Sequence, residues 1–185
     1  MTPTKELEKS GFEALKESRG FTNVMESPRI EKVTISTGVG KIKSDKNKLK
    51  VIQDRLTKIT GQKPAEAAAK KSIATFKTRE GDIAGYKITL HGDRMYQFLD
   101  KLINVAIPRT KDFRGINRTV VDEMGNLTMG IKEHIIFPET SDEELRDIFG
   151  LAVTITTSAT NPDDARAFFE HIGIPFKKEE QADNA

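Results

Sequence analysis

Three histidines, His91, His134 and His171, are the side chains best suited to proton transfer near neutral pH or to holding a metal ion. They lie far apart in the chain and lack the His-Glu-x-x-His spacing that sets two ligands on one helical face, so no metal site is expected. Cysteine is absent, which excludes disulfides, iron–sulfur clusters, thiol catalysis and thiolate-bound zinc. Gly38-Val39-Gly40-Lys41 has the composition of a phosphate loop. However, Ile35 stands where the first glycine belongs, and Ile42 where a hydroxyl would hold magnesium. Lys43 likewise replaces the third glycine of a dinucleotide fingerprint. There is no Gly-x-Ser-x-Gly elbow. Asp142, Glu143, Glu144 and Asp147 follow Ser141 and read as the capped, acidic first turn of a helix rather than as paired catalytic carboxylates. No cofactor is expected, and an enzyme acting on a nucleotide would need a site these residues do not form.

Charge is the stronger signal. The 185 residues carry a net charge of only +2, with 36% apolar and 31% charged residues. Residues 28–118 nevertheless hold 21 basic and 9 acidic residues, whereas residues 119–185 hold 5 and 14. A basic middle beside an acidic final third points to a polyanion partner. Two other readings stay open: mutual neutralisation within the fold, and a protein–protein adaptor working through the acidic third. No apolar run approaches the roughly 18 residues of a membrane span, so no membrane partner is expected. The acidic, polar start is unlike a signal peptide, and the expected location is the cytoplasm.

The elements that must position this charge follow from periodicity. Thr4 to Arg19 reads as a short surface helix stopped by Gly20, with a weak stripe of Leu7, Phe12 and Leu15. Ser44 is a candidate cap for a helix reaching Thr60, whose stripe is Leu49, Ile52, Leu56 and Ile59; Lys46, Lys50, Arg55 and Lys58 lie off it, on a face expected either to be simply solvated or to contact phosphate. A third helix runs from Arg94 to about Ala106. A fourth spans Pro162 to Ile172, capped by Asn161. Arg29–Gly40, Ala84–His91, Leu127–Ile135 and Leu151–Thr157 alternate as half-buried strands, and Pro64–Ala69 is a short extra one. Lys70 to Asp82 is basic, without apolar periodicity, and reads as a long loop, of a length that is usually functional or disordered. The mixture predicts an α+β fold. It is a single two-layer sandwich, with a mostly antiparallel sheet, helices on one face and the other face open. The expected organisation is an N-terminal helix over 1–20, an RNA-binding α+β domain over 21–178 and a disordered acidic tail over 179–185.

The open face then carries Lys32, Thr34, Ser36, Lys87, Thr89, His91, Lys132, Thr154 and Thr156. Lysines and hydroxyls suit phosphates and ribose 2′-OH groups. With no aromatic on that face, base stacking of the RNA-recognition-motif kind is disfavoured. A structured RNA read by backbone and shape fits better.

One family shares an ordered series of these stretches. They are Val24-Met25, Pro28-Arg29-Ile30-Glu31-Lys32, Gly38-Val39-Gly40, Thr60-Gly61-Gln62-Lys63-Pro64, Ala69-Lys70-Lys71-Ser72-Ile73-Ala74 with Phe76, and Arg79-Glu80-Gly81. They continue with Lys87-Ile88-Thr89-Leu90, Arg94 to Ile103, Pro108-Arg109, Asp112-Phe113-Arg114-Gly115, Gly125-Asn126, Gly130-Ile131-Lys132-Glu133 and Ile136-Phe137-Pro138-Glu139. Over about residues 20–178 the chain resembles the bacterial large-subunit ribosomal protein L-five family. The resemblance implies a non-enzymatic protein of the cytoplasmic ribosome that binds 5S rRNA through the open face, in the central protuberance, beside large-subunit rRNA. Lys63 joins the face residues as an rRNA contact. The basic loop, through Lys70, Lys71, Ser72, Phe76, Lys77 and Arg79, is implied to touch peptidyl-site tRNA. Neighbouring ribosomal proteins, including a small-subunit head protein, complete the partners through an intersubunit bridge. Arg109, Arg114 and Arg118 are further RNA or bridge candidates. His91 departs from the family's usual Arg, and the first helix and the acidic tail inherit no RNA role.

Overall fold

The computed structural model describes residues 3–40, 42, 45–111, 113–140 and 148–177. The Ser44 cap, Lys41, Lys43, Asp112, the acidic run after Ser141 and the tail lie outside them. Five strands, β1 (Ile30–Gly38), β2 (Ala65–Ala68), β3 (Ile83–Leu90), β4 (Leu127–Ile131) and β5 (Leu151–Thr157), form one antiparallel sheet in the order β2-β3-β1-β5-β4. β1 lies at its centre. Val33, Ile35, Ile88, Leu90, Leu127, Val153 and Ile155 alternate onto one face and are almost wholly buried.

Helices α1 (Thr4–Arg19), α2 (Lys46–Thr60), α3 (Gly92–Lys101) and α4 (Pro162–Ile172), with Phe137, Phe149 and Ile174 from the connecting segments, add to the core, and the opposite sheet face stays open. The α2 stripe of Leu49, Ile52, Leu56 and Ile59 is buried as its spacing predicts. Its described cap is Asp45, whose carboxylate accepts from the N–H groups of Asn47 (3.1 Å) and Lys48 (3.2 Å). Arg55 is a correction. It sits off the apolar stripe, yet it is buried, with Nη1 3.3 Å from Nε2 of His134. The reason lies in a distant segment: β4 stops at Ile131, four residues short of the alternating stretch, and the chain bends into a short turn at His134–Ile136. His134 is thereby driven inward, stacked on Phe149 at 4.2 Å. α3 begins at Gly92, two residues before its expected start, and ends in a π-helical turn over Leu102–Ala106.

The first helix is more firmly tied than a surface helix with a weak stripe. Thr4 is buried, its N–H donating to Asp100 of α3 at 2.7 Å. Gly11 lies beneath the Phe168 ring of α4. A Cβ there would meet that ring at 3.5 Å, an ordinary van der Waals contact, so α1 and α4 pack closely at this point. His171 donates to the Leu7 carbonyl at 2.9 Å, and the Tyr96 hydroxyl donates to Glu8 at 3.0 Å. Burial, together with the facing Glu8 carboxylate, pushes the Tyr96 phenol up to about 12. Among the described residues no helix is long and apolar enough to cross a membrane.

Candidate nucleic-acid interface

Residues paired directly across antiparallel strands project from the same face. On β1, Thr34 pairs with Thr89 of β3 on one side and Thr154 of β5 on the other, and Thr154 pairs with Thr128 of β4. Four threonines therefore cross the open face in one row. The hydroxyls of Thr128 and Thr154 stand 3.1 Å apart. The adjacent row reads Ala65, Lys87, Ser36, Ala152, Gly130 across all five strands. On the other side of the threonines, Lys32 pairs with Thr156. The result is a floor of short side chains and hydroxyls from which Lys32 and Lys87, both exposed, can reach a phosphate. Thr128 belongs to this floor and is absent from the sequence-predicted set; the alternation of β4 was its signal.

The sheet is held to this geometry by its buried side. Gly85 permits the closest approach within it: a Cβ there would lie 2.5 Å from the Thr37 carbonyl oxygen of β1. Tyr86, opposite Thr37, is buried. That burial, and the nearby Glu66 carboxylate, raise its phenol above the ordinary range.

Three expected face residues sit at its margins. His91 lies one residue past β3 at the head of α3, exposed, its Nδ1 3.2 Å from the Glu31 carbonyl. Lys63 is exposed just ahead of β2. Lys132 follows the end of β4 and faces a groove rather than the sheet.

The basic loop is a correction of a different kind. It is an ordered extension of the β2–β3 hairpin rather than a disordered loop. Ala69 donates to the Asp82 carbonyl (2.8 Å), and Ile73 and Thr78 exchange backbone bonds of 2.9 and 3.2 Å. Ser72 Oγ accepts from the Glu80 N–H at 2.9 Å, so this hydroxyl staples the loop. The Asp82 carboxylate likewise accepts from the Arg79 N–H at 2.9 Å. Lys77 turns the tip with a positive φ of 49°. Phe76 beside it is 72% exposed, and Lys70, Lys71, Lys77 and Arg79 all reach solvent.

Arg109, Arg114 and Arg118 are exposed along the segment after α3. Arg118 is paired with Glu170 of α4 at 2.8 Å. Arg114 borders a groove of about 660 Å³ against β4. The segment's Ile116 bonds alongside Phe176, which brings Lys177 to the same groove. Among the described residues no group of His, Asp or Glu could hold a metal ion.

Family models match the chain over nearly all of this architecture. Residues 23–79 match the model described as ribosomal protein L5, and residues 83–176 the model of the C-terminus of the same ribosomal family. This chain belongs to the ribosomal protein L5 family. The large ribosomal subunit protein uL5 of Pelagibacter ubique is 48% identical over 164 residues, 89% of each chain. That of Spiroplasma kunkelii is 48% identical over 166 residues, 90% of this chain and 92% of the relative. That of Thermoanaerobacter sp. is 44% identical over 171 residues, 92% and 96%. The two family models meet inside the folded loop, between Arg79 and Ile83. As a member of the L5 family, the chain is a structural ribosomal protein and not an enzyme.

Proposed function

We propose that this chain binds 5S rRNA on the open sheet face and helps seat that RNA in the central protuberance of the large ribosomal subunit, in the cytoplasm. The observation that carries the reading is the four-threonine row flanked by Lys32 and Lys87. A-form RNA offers a wide, shallow minor groove edged by 2′-hydroxyls, and a flat hydroxyl floor with lysines can meet it without reading bases. Contacts to phosphate would come from Lys32, Lys87 and Lys63, with hydroxyl contacts from Thr34, Ser36, Thr89, Thr154 and Thr156. The hairpin extension, basic at its flanks and apolar at its Phe76 tip, is the part that reaches peptidyl-site tRNA. The segment of Arg109 and Arg114 faces other rRNA or a small-subunit head protein.

The test is a salt titration of binding to 5S rRNA against an unrelated RNA duplex of the same length. Binding that persists under competition, and weakens with salt as phosphate contacts release counterions, supports the reading. Equal binding to both RNAs would refute it.

A further inference from the structure

The groove beside β4 differs chemically from the platform it adjoins. Its walls are largely apolar, from Ile107, Ile116, Met129 and Ile131, while Lys111, Arg114, Lys132 and Lys177 stand around it. Glu133 is the one acid among its described lining residues. Phe113 also lines it and is 37% exposed. Among the described phenylalanines and tyrosines, only Phe113 and Phe76 are left substantially in solvent. A ligand that is both flat and anionic matches such a site. Its volume of about 660 Å³ is within the usual range of about 300–1,000 Å³ for small-ligand sites.

Position narrows the ligand further. Gly130 ends the second row of the open face and also lines the groove. It is exposed, and a Cβ there would meet nothing within 4 Å, so no side chain walls the groove off from the platform at that point. A strand leaving the platform over Gly130 enters the groove directly.

We propose that the groove receives one unpaired nucleotide, splayed from the RNA that lies on the platform. Its base rests against Phe113, and its phosphate lies among Lys111, Arg114 and Lys132. The inference rests on the RNA-binding reading above. Unpaired bases stacked on aromatic side chains are the usual means by which proteins recognise RNA beyond its shape. Here that contact sits at the side of the platform, whose strands present no phenylalanine or tyrosine on the open face. An apolar protein segment would leave the four cations without partners, which favours the nucleotide.

The chain has no tryptophan, so Phe113→Trp places a single reporter in the groove. Its emission is followed during titration with 5S rRNA, with a fully paired duplex of equal length and with adenosine monophosphate. Quenching by 5S rRNA, and not by the duplex, is the expected result. In parallel, Phe113→Ala should weaken 5S binding about tenfold, the scale of one lost base stack, while Phe113→Tyr restores it. Thermal unfolding of each variant confirms that the fold is kept. Full 5S binding with unchanged emission and no loss in Phe113→Ala would overturn the proposal. So would an equal loss on the paired duplex, or quenching by adenosine monophosphate with none by 5S rRNA. Failure of the unaltered chain to prefer 5S rRNA would instead sink the reading of the platform.

Discussion

The open sheet face and the β2–β3 extension are both basic and both exposed, but they are held by different forces. Each threonine and lysine of the face sits on a strand whose alternate residues are locked in the core, such as Val33, Ile35 and Ile88. The extension has no such backing: Ile73 and Phe76 are exposed, and a few backbone bonds with the Ser72 and Asp82 side chains set its shape. A surface backed by a core is preorganised, so its contacts cost little ordering on binding. A projection without a buried core beneath it opens locally at low free-energy cost and can adapt to a partner that moves.

The largest effect should come from the seam beneath the face. Gly85→Val drives side-chain atoms into the Thr37 carbonyl region, which must displace β1 from β3. We expect a loss of about 3 kcal/mol or more in urea unfolding, with 5S binding falling in proportion. A stable Gly85→Val variant that binds normally would show that the face does not depend on its register. Next in size, Lys32→Ala with Lys87→Ala should reduce 5S affinity on the order of tenfold and flatten the salt slope by about 2, while the melting temperature stays unchanged. Replacing Lys70, Lys71 and Arg79 together should do the reverse. 5S binding stays nearly intact, whereas engagement of peptidyl-site tRNA by reconstituted ribosomes declines. Loss of 5S binding in this triple variant would erase the division between the two regions.

Smaller still, Ser72→Ala removes one bond of the extension. Exchange of the Glu80 amide should quicken by roughly 5–10-fold, the scale of about 1 kcal/mol, without change in global stability. The smallest effect lies outside both regions. Glu26 accepts from the N–H groups of Thr22 and Asn23, which lowers its pKa. A depressed carboxylate contributes to folding above its unfolded pKa of about 4.5 and loses that contribution as pH falls through the folded value. Amides of residues 22–26 should therefore loosen below about pH 4.5 while both basic surfaces hold, as amide exchange would reveal.

Much of the platform was legible in advance because alternation reports directly on which face a residue joins. Thr34, Thr89, Thr154 and Thr156 fall where period two puts them. What escaped notice depends on contacts between segments distant in the chain. Arg55 looks solvated on its own helix and is buried by the turn at His134. The weak stripe of α1 does not announce that Thr4 is buried against Asp100 of α3. Lys132 leaves the sheet because β4 ends early, and the groove that it borders is assembled from three separate stretches, so no local pattern announces it. The extension's order came from backbone bonds and from Ser72 and Asp82, which have no periodicity to detect.

The place of β1 at the sheet centre has a consequence for how the protein is made. Its partner β5 lies near the far end of the chain, so Ile35 meets Val153 only after most of the polypeptide has been synthesised. β2, β3 and β1 can pair early, but the threonine row is half-built until β5 and β4 join it. Contacts of such long sequence separation are slow to form. The nascent chain therefore shows no complete threonine row, and on the function proposed above it becomes able to bind RNA only once its C-terminal third has folded into place.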